Sequence, residues 1–226
     1  MAEYSVHRLL SLKKSTEQRI RKLIQESKFI SYRQGNKKTV GGVAVEEIEK
    51  EIQSSWQKIE SLMSNFSKIK FALLTSNAGI SKDTEVKKVK VAGKDYTMAE
   101  LIATSDELYG NSNHHGLYPQ LLNIMKNQYA TTTKTVDSQH DKIEQQLKDY
   151  LAKSVGNDKS VSADEIAQRS KVFHQDGDYV LIDPLNIAKK IKILQDEIET
   201  FKQECDATLS EQNALTTVSI DLTTIE

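Results

Sequence analysis

Twelve residues between two apolar-patterned segments combine cations and glycines in a way that could hold a phosphate. The segment Ser31–Gly42, SYRQGNKKTVGG, contains three cations and three glycines. Gly41 and Gly42 precede a helix predicted to begin near Val43, and the first N–H groups of a helix lack partners and carry the positive end of its dipole. A solvated turn between two helices explains the same residues, so both interpretations stay open. The ligand-binding candidates in this segment are Tyr32, Arg33, Lys37 and Lys38.

A second polar segment, Tyr109–Gln120, offers groups that suit a nucleotide base or a ribose. Its sequence, YGNSNHHGLYPQ, holds two of the five histidines beside two tyrosines. Adjacent histidines point in different directions on most backbones, and no Cys, Asp or Glu is placed to complete a ligand set, so we expect no metal. An ordinary connection between helices is the alternative. The candidates here are Tyr109, His114 and His115.

The segment 174–178 places a histidine beside two aspartates, which could support acid–base catalysis. The pair Asp176 and Gly177 is typical of a tight turn, and nothing in the sequence brings a nucleophile to it. The motifs G-x-S-x-G, H-E-x-x-H and C-x-x-C do not occur in the chain. We therefore predict no catalytic residues and no cofactor, and a hydrolase is the weakest of the functional interpretations.

Long amphipathic helices must position these polar segments. Apolar residues recur at alternating spacings of three and four along 45–73, 118–150 and 183–205, which is the seam pattern of a coiled coil. The sequence predicts a mainly α protein of long antiparallel amphipathic helices, arranged like a bundle or coiled coil. Two small β-hairpins are predicted at about 87–97 and 171–182. The whole chain, 1–226, is expected to form a single elongated helical domain.

Capping signals predict where several of the helices begin. Thr97 is followed three residues later by Glu100, and Ser162 by Glu165, which is the spacing of a capping box. The second of these helices is expected to end around Ser170. Asp183, followed by a proline, is the predicted N-cap of the last long helix.

Charge and composition restrict the partners of the protein. The chain carries 31 basic and 32 acidic residues, so no overall field attracts it to nucleic acid or to an anionic membrane. No apolar run approaches the roughly 20 residues needed to span a bilayer. The single Cys205 excludes an internal disulfide and fits a reducing compartment. We expect an unprocessed cytoplasmic protein. Its narrow apolar stripes need partner surfaces, which favours a homo-oligomer.

Two longer segments carry a family resemblance. An N-terminal helix and a long second helix are followed by VAGKDYTMAELIATSDEL (91–108) and VLIDPLNIAKKIKILQDEIETFKQECDATLSEQN (180–213). Together they resemble the septicolysin-like family of small bacterial and phage proteins. The resemblance implies a helical, oligomeric protein of unsettled function and supplies no catalytic residues. The polar segments at 31–42 and 110–116 depart from the family and are therefore candidates for a specialised role.

Two functional interpretations follow. In the first, the protein is a non-enzymatic oligomer that sequesters a small phosphorylated ligand, in the manner of a phage-encoded sponge for a nucleotide immune signal. Cationic and aromatic loops without a catalytic motif suit such a role, because sequestration needs contacts to phosphate, sugar and base only. In the second, the protein is a structural or assembly coiled-coil protein with no small-molecule ligand.

Overall fold

The computed structural model describes residues 4–77, 86–110, 115–155 and 162–217, and over these segments the protein is mainly helical. This confirms the predicted fold class. Helix α3 continues directly into a π-helical turn, Ser105–Tyr109. The helices are α1 (Val6–Glu26), α2 (Val45–Asn77), α3 (Met98–Thr104), α4 (Leu117–Val155), α5 (Ala163–Gly177) and α6 (Ile187–Leu215).

The predicted apolar seams are the buried faces of three of these helices. In α2 the regularly spaced residues Ile52, Ile59 and Phe66 are at most 1% exposed. In α6 the seam continues in the same way to Cys205, which is a buried free thiol. Burying such a stripe removes apolar surface from water and stabilises the helix far more than its intrinsic propensity does.

Three small antiparallel sheets lie between the helices. Strands β4 (Val89–Val91) and β5 (Lys94–Tyr96) form a hairpin, as predicted for 87–97. Strands β2 (Thr39–Val40) and β3 (Val43–Ala44) form another, whose turn uses Gly41 and Gly42 at positive φ. Strands β1 (Ser31–Gln34) and β6 (Tyr179–Ile182) come from distant parts of the sequence and pair with Ser31 opposite Ile182.

The hairpin predicted at 171–182 is wrong. Helix α5 does not end near Ser170 but continues to Gly177, and its C-terminal residue is followed by Asp178, whose N–H donates to the carbonyl of His174. The strand-like residues that follow pair with β1 and not with a neighbouring strand. A short apolar alternation fits a helix face or a strand equally well, and here the packing decides for the helix.

Helix starts follow the capping signals with one difference. Both capping boxes are present, at Thr97 with Glu100 and at Ser162 with Glu165. Helix α6, however, begins at Ile187, three residues later than the sequence predicts. The carboxylate of Asp183 still accepts the N–H of Ile187 at 2.9 Å, so it supports the helix from outside the first turn.

The chain divides into two compact units. Unit 1 comprises 1–21, 62–122 and 192–226, and unit 2 comprises 22–61 and 123–191. Helices α1, α2, α4 and α6 each contribute residues to both units. The single elongated domain over 1–226 stays a prediction.

Each unit has its own aromatic core. In unit 1 the rings of Tyr109 and Phe201 stack with centroids 3.7 Å apart, and Tyr96 contacts Phe201 edge-on at 6.2 Å. In unit 2 Phe29 meets Trp56 edge-on at 6.4 Å, and the ammonium of Lys190 lies 4.3 Å from the centre of the Trp56 ring. Such ring pairs each add about 1 kcal/mol to the gain from burial alone.

Candidate ligand-binding site

An open groove in unit 2 combines the kinds of side chain that a small-molecule site needs. It encloses about 650 Å³ between the C-terminal half of α4 and helix α5, and the end of strand β1 closes one side. Grooves of this size are typical of small-molecule sites in proteins. Its apolar lining includes Ile143, Tyr150, Val172 and Phe173.

Local contacts hold the two helices that form the groove. His174 of α5 lies with Nε2 3.5 Å from the Glu144 carboxylate of α4 and with Nδ1 3.1 Å from Asp178. A Cβ at Gly177 would meet the Ile143 side chain at 3.1 Å, so the absence of a side chain there allows α5 to approach α4 closely. His174 and Asp178 of segment 174–178 therefore take part in contacts that join α5 to α4 and to the start of β6.

An aromatic pair forms part of the apolar lining. The rings of Tyr150 and Phe173 lie 6.1 Å apart at 25°, one from each helix. Tyr150 is 43% exposed and Val172 is 56% exposed, so this part of the lining is open to solvent. Exposed ring faces of this kind accept a planar heterocycle by stacking.

Polar side chains surround these rings. Arg169 of α5 is exposed and can hold a phosphate in a bidentate contact. Gln34, Gln146 and Gln168 supply amide donors and acceptors that suit a base or a sugar. Asp176 also lines the groove and can accept from a hydroxyl. The groove thus combines a cation, amides and aromatic faces.

Among the described residues, no candidate predicted from the sequence lines this groove, but hydrogen bonds link Lys37 and Arg33 to its lining residue Gln34. Lys37 donates to the side-chain oxygen of Gln34 at 2.8 Å, and Arg33 donates to the carbonyl of Lys37 at 3.5 Å. The Tyr32 ring packs against Tyr179 of β6 with centroids 5.8 Å apart. Gln34, a lining residue of the groove, therefore connects the groove to the cationic segment.

The helix end proposed to receive the phosphate has a different structure from the one expected. Gly41 and Gly42 form a hairpin turn, and α2 begins only at Val45. The N–H of Val45 donates to the carbonyl of Lys38 at 2.9 Å, and the first turn contains the acidic residues Glu46 and Glu47. Those carboxylates already complement the positive end of the helix dipole.

The second polar segment belongs to unit 1. Tyr109 is 3% exposed, and its hydroxyl donates to Glu197 at 3.2 Å, so its ring forms part of the core. Burial and the nearby Glu197 raise the pKa of Tyr109. His115 is exposed, and its carbonyl accepts from Arg21 at 3.4 Å. His114 lies outside the described residues.

Sequence reasoning missed the residues that line the groove. The sequence pattern places Tyr150 only at a seam position, and the hairpin predicted at 171–182 conceals the helical face that carries Val172 and Phe173. The signal was present as the seven-residue spacing of the apolar residues Ile166 and Phe173, which is two turns of a helix.

Within residues 4–77, 86–110, 115–155 and 162–217, no group of three or more His, Cys, Asp or Glu side chains could hold a metal ion. Among the helices of those same segments, none combines the length and the hydrophobicity that crossing a bilayer requires.

Comparison with protein-family models, curated proteins and solved structures finds no match to this chain. The resemblance to the septicolysin-like family stays a prediction.

Proposed function

We propose that the protein is a non-enzymatic binding protein that sequesters a small phosphorylated ligand, such as a nucleotide signal, in the groove between α4 and α5. One observation carries the proposal: the paired rings of Tyr150 and Phe173 and the guanidinium of Arg169 line the same open groove. Rings can stack on a base while an arginine binds a phosphate, and neither contact requires a catalytic group.

The chemistry of the groove also favours binding over turnover. His174 follows the lining residue Phe173 in the sequence but is not itself among the lining residues. Its imidazole contacts Asp178 and Glu144. Those contacts hold α5 against α4. The ligand of a sequestering protein leaves unchanged, which fits a polar lining of three amides, one arginine and one aspartate around aromatic rings. A role as a phage-encoded sponge for an immune nucleotide belongs to this proposal, as does a homo-oligomeric, cytoplasmic state.

The test is a binding titration with a panel of cyclic and ADP-ribose-derived nucleotides, followed by recovery of the ligand after heat denaturation. We expect one member of the panel to raise the unfolding temperature and to be recovered intact. Arg169→Ala should weaken its binding by about tenfold or more. Lys171→Ala, an exposed cation on the same helix that does not line the groove, is the matched control and should bind normally.

Other outcomes of the titration would overturn the proposal. Conversion of the ligand would indicate an enzyme. An equal loss of affinity in both variants would mean that Arg169 acts only through the general charge of the surface. If no nucleotide binds, the alternative is a structural or assembly protein. The apolar seam of α6 is already buried within the single chain, where Leu194, Ile198 and Phe201 are at most 7% exposed.

A further inference from the structure

A second cavity, in unit 1, has a different chemical character. It encloses about 430 Å³ between the first half of α1, the end of α2, and α3 with its π-helical turn. Leu10 and Ile102 stand at its opening, 50% and 48% exposed. Leu73 at its base is 5% exposed. These side chains are aliphatic, in contrast to the aromatic lining of the groove in unit 2.

Two lysines and two acidic residues, Lys13, Lys70, Asp106 and Glu107, line this cavity, and three of them form direct ion pairs. Glu107, on the π-helical turn, contacts the ammonium of Lys13 at 2.7 Å through one carboxylate oxygen. Its other oxygen lies 3.0 Å from the ammonium of Lys70. Lys70 also donates to the carbonyl of Ala103. The three residues come from α1, α2 and the π-helical turn, so the fold brings them together from separate elements.

The two ammonium groups differ in their surroundings. The side chain of Lys70 is 6% exposed, whereas that of Lys13 is 27% exposed and faces the cavity. Burial lowers the pKa of Lys70, and the attraction of Glu107 opposes this without cancelling it. An added negative charge beside Lys70 would therefore be stabilising. An ammonium donates up to three hydrogen bonds, and Lys13 makes one to the described residues.

We propose that this cavity binds a small carboxylic acid with an alkyl chain, the carboxylate on Lys13 and Lys70 and the chain along Leu10, Leu73 and Ile102. A flexible chain fits the aliphatic lining better than a planar ring does. A singly charged carboxylate fits better than a phosphate, because Asp106 and Glu107 also line the cavity and would repel a dianion more strongly. The proposal does not depend on nucleotide binding in unit 2.

Isothermal titration of the full chain with sodium octanoate tests the proposal. We expect saturable one-to-one binding, with weaker binding of 1-octanol, which lacks the charge, and of butyrate, which lacks the chain. Lys13→Gln should lower the octanoate affinity about fivefold or more, because it removes the accessible ammonium. The control is Lys14→Gln, which changes the same charge at the next, exposed position and should leave binding unchanged.

Thermal unfolding of both variants without ligand shows whether they fold equally well. Leu10→Ser removes an exposed apolar group at the opening and should weaken octanoate binding without unfolding the chain. Three results would each overturn the proposal: no saturable octanoate binding, equal binding of octanol and octanoate, or equal affinities of the Lys13→Gln and Lys14→Gln variants. A loss of nucleotide binding in Arg169→Ala with retained octanoate binding would show that the two sites are independent.

Discussion

Tyr109 is a residue whose chemistry suits a ligand and whose structural role is packing. Its sequence neighbours are polar, which favoured a loop. In the structure it ends a π-helical turn, and its ring stacks at 7° on Phe201. Its hydroxyl keeps a partner in Glu197, as a buried tyrosine requires. A side chain this enclosed contributes to the stability of unit 1.

The pKa of Tyr109 gives that role a pH signature. Burial, reinforced by Glu197, raises the pKa above the ordinary value of 10.0. The unfolded chain therefore loses this proton at lower pH than the folded chain, and the associated stability is present below about pH 10 and is lost above it. Tyr109→Phe should cost about 1 kcal/mol of unfolding free energy at neutral pH. It should also make the alkaline decline in stability shallower.

Urea denaturation of the wild type and the variant at pH 8 and about pH 11 measures this difference. Tyr96 has a raised pKa as well, but it is common to both proteins and cancels in the comparison. Tyr4→Phe, at a position that is 45% exposed, controls for the loss of a hydroxyl. Parallel pH profiles for the wild type and Tyr109→Phe would contradict the assignment.

Helix α5 and strand β6 show which elements the sequence could predict. The prediction of the long helices is correct because their apolar period repeats locally over many turns. The predicted end of α5 is wrong, because Val172 and Phe173 fit a strand or a helix face equally well. The partner of β6 is β1, at the other end of unit 2 in the sequence. Strand pairing over such a separation depends on tertiary packing, which local propensity does not encode.

Gly35 joins these two elements and offers a sharp test of their packing. Its N–H donates to the carbonyl of Asp178 at 2.6 Å, and a Cβ there would lie 2.5 Å from the carbonyl oxygen of Asp176. Gly35→Ala should therefore lower the unfolding free energy by about 3 kcal/mol. Gly41→Ala has similar backbone strain, with φ of +58° against +51°, but open space around the Cβ.

The Gly41 variant should lose only about 1 kcal/mol, since it introduces strain without a clash. Chemical denaturation of both variants separates the two effects, because the backbone cost is nearly the same in each. Equal destabilisation would mean that the end of β1 does not pack against the end of α5. A loss at Gly35 alone would support the observed pairing of β1 with β6.

The division of the chain into two units is not visible in its sequence. Four helices each supply residues to both units, so no change of composition or linker marks a boundary. The residues that line the candidate groove were missed for a related reason, and no predicted candidate among the described residues lines it. Arg33 and Lys37 were identified from a local cluster of charge, whereas Tyr150 and Phe173 become neighbours only when α4 and α5 pack together.

The predicted homo-oligomer has a specific edge on which it can form. Within the described residues, β6 pairs with β1 alone, which leaves its other side without a strand partner. On that side the Tyr179 carbonyl already contacts Nε2 of His140 at 2.9 Å, so the edge left to pair is the one beyond it, where Val180 is 45% exposed. Apolar edge strands pair readily with a second copy. We expect light scattering after gel filtration to give a mass of two or more chains of 25.5 kDa each. Val180→Lys should shift that mass toward one chain, because a lysine on an edge strand opposes pairing. Val43→Lys, at a 42% exposed position of β3, should not. A wild-type mass of one chain would contradict the prediction.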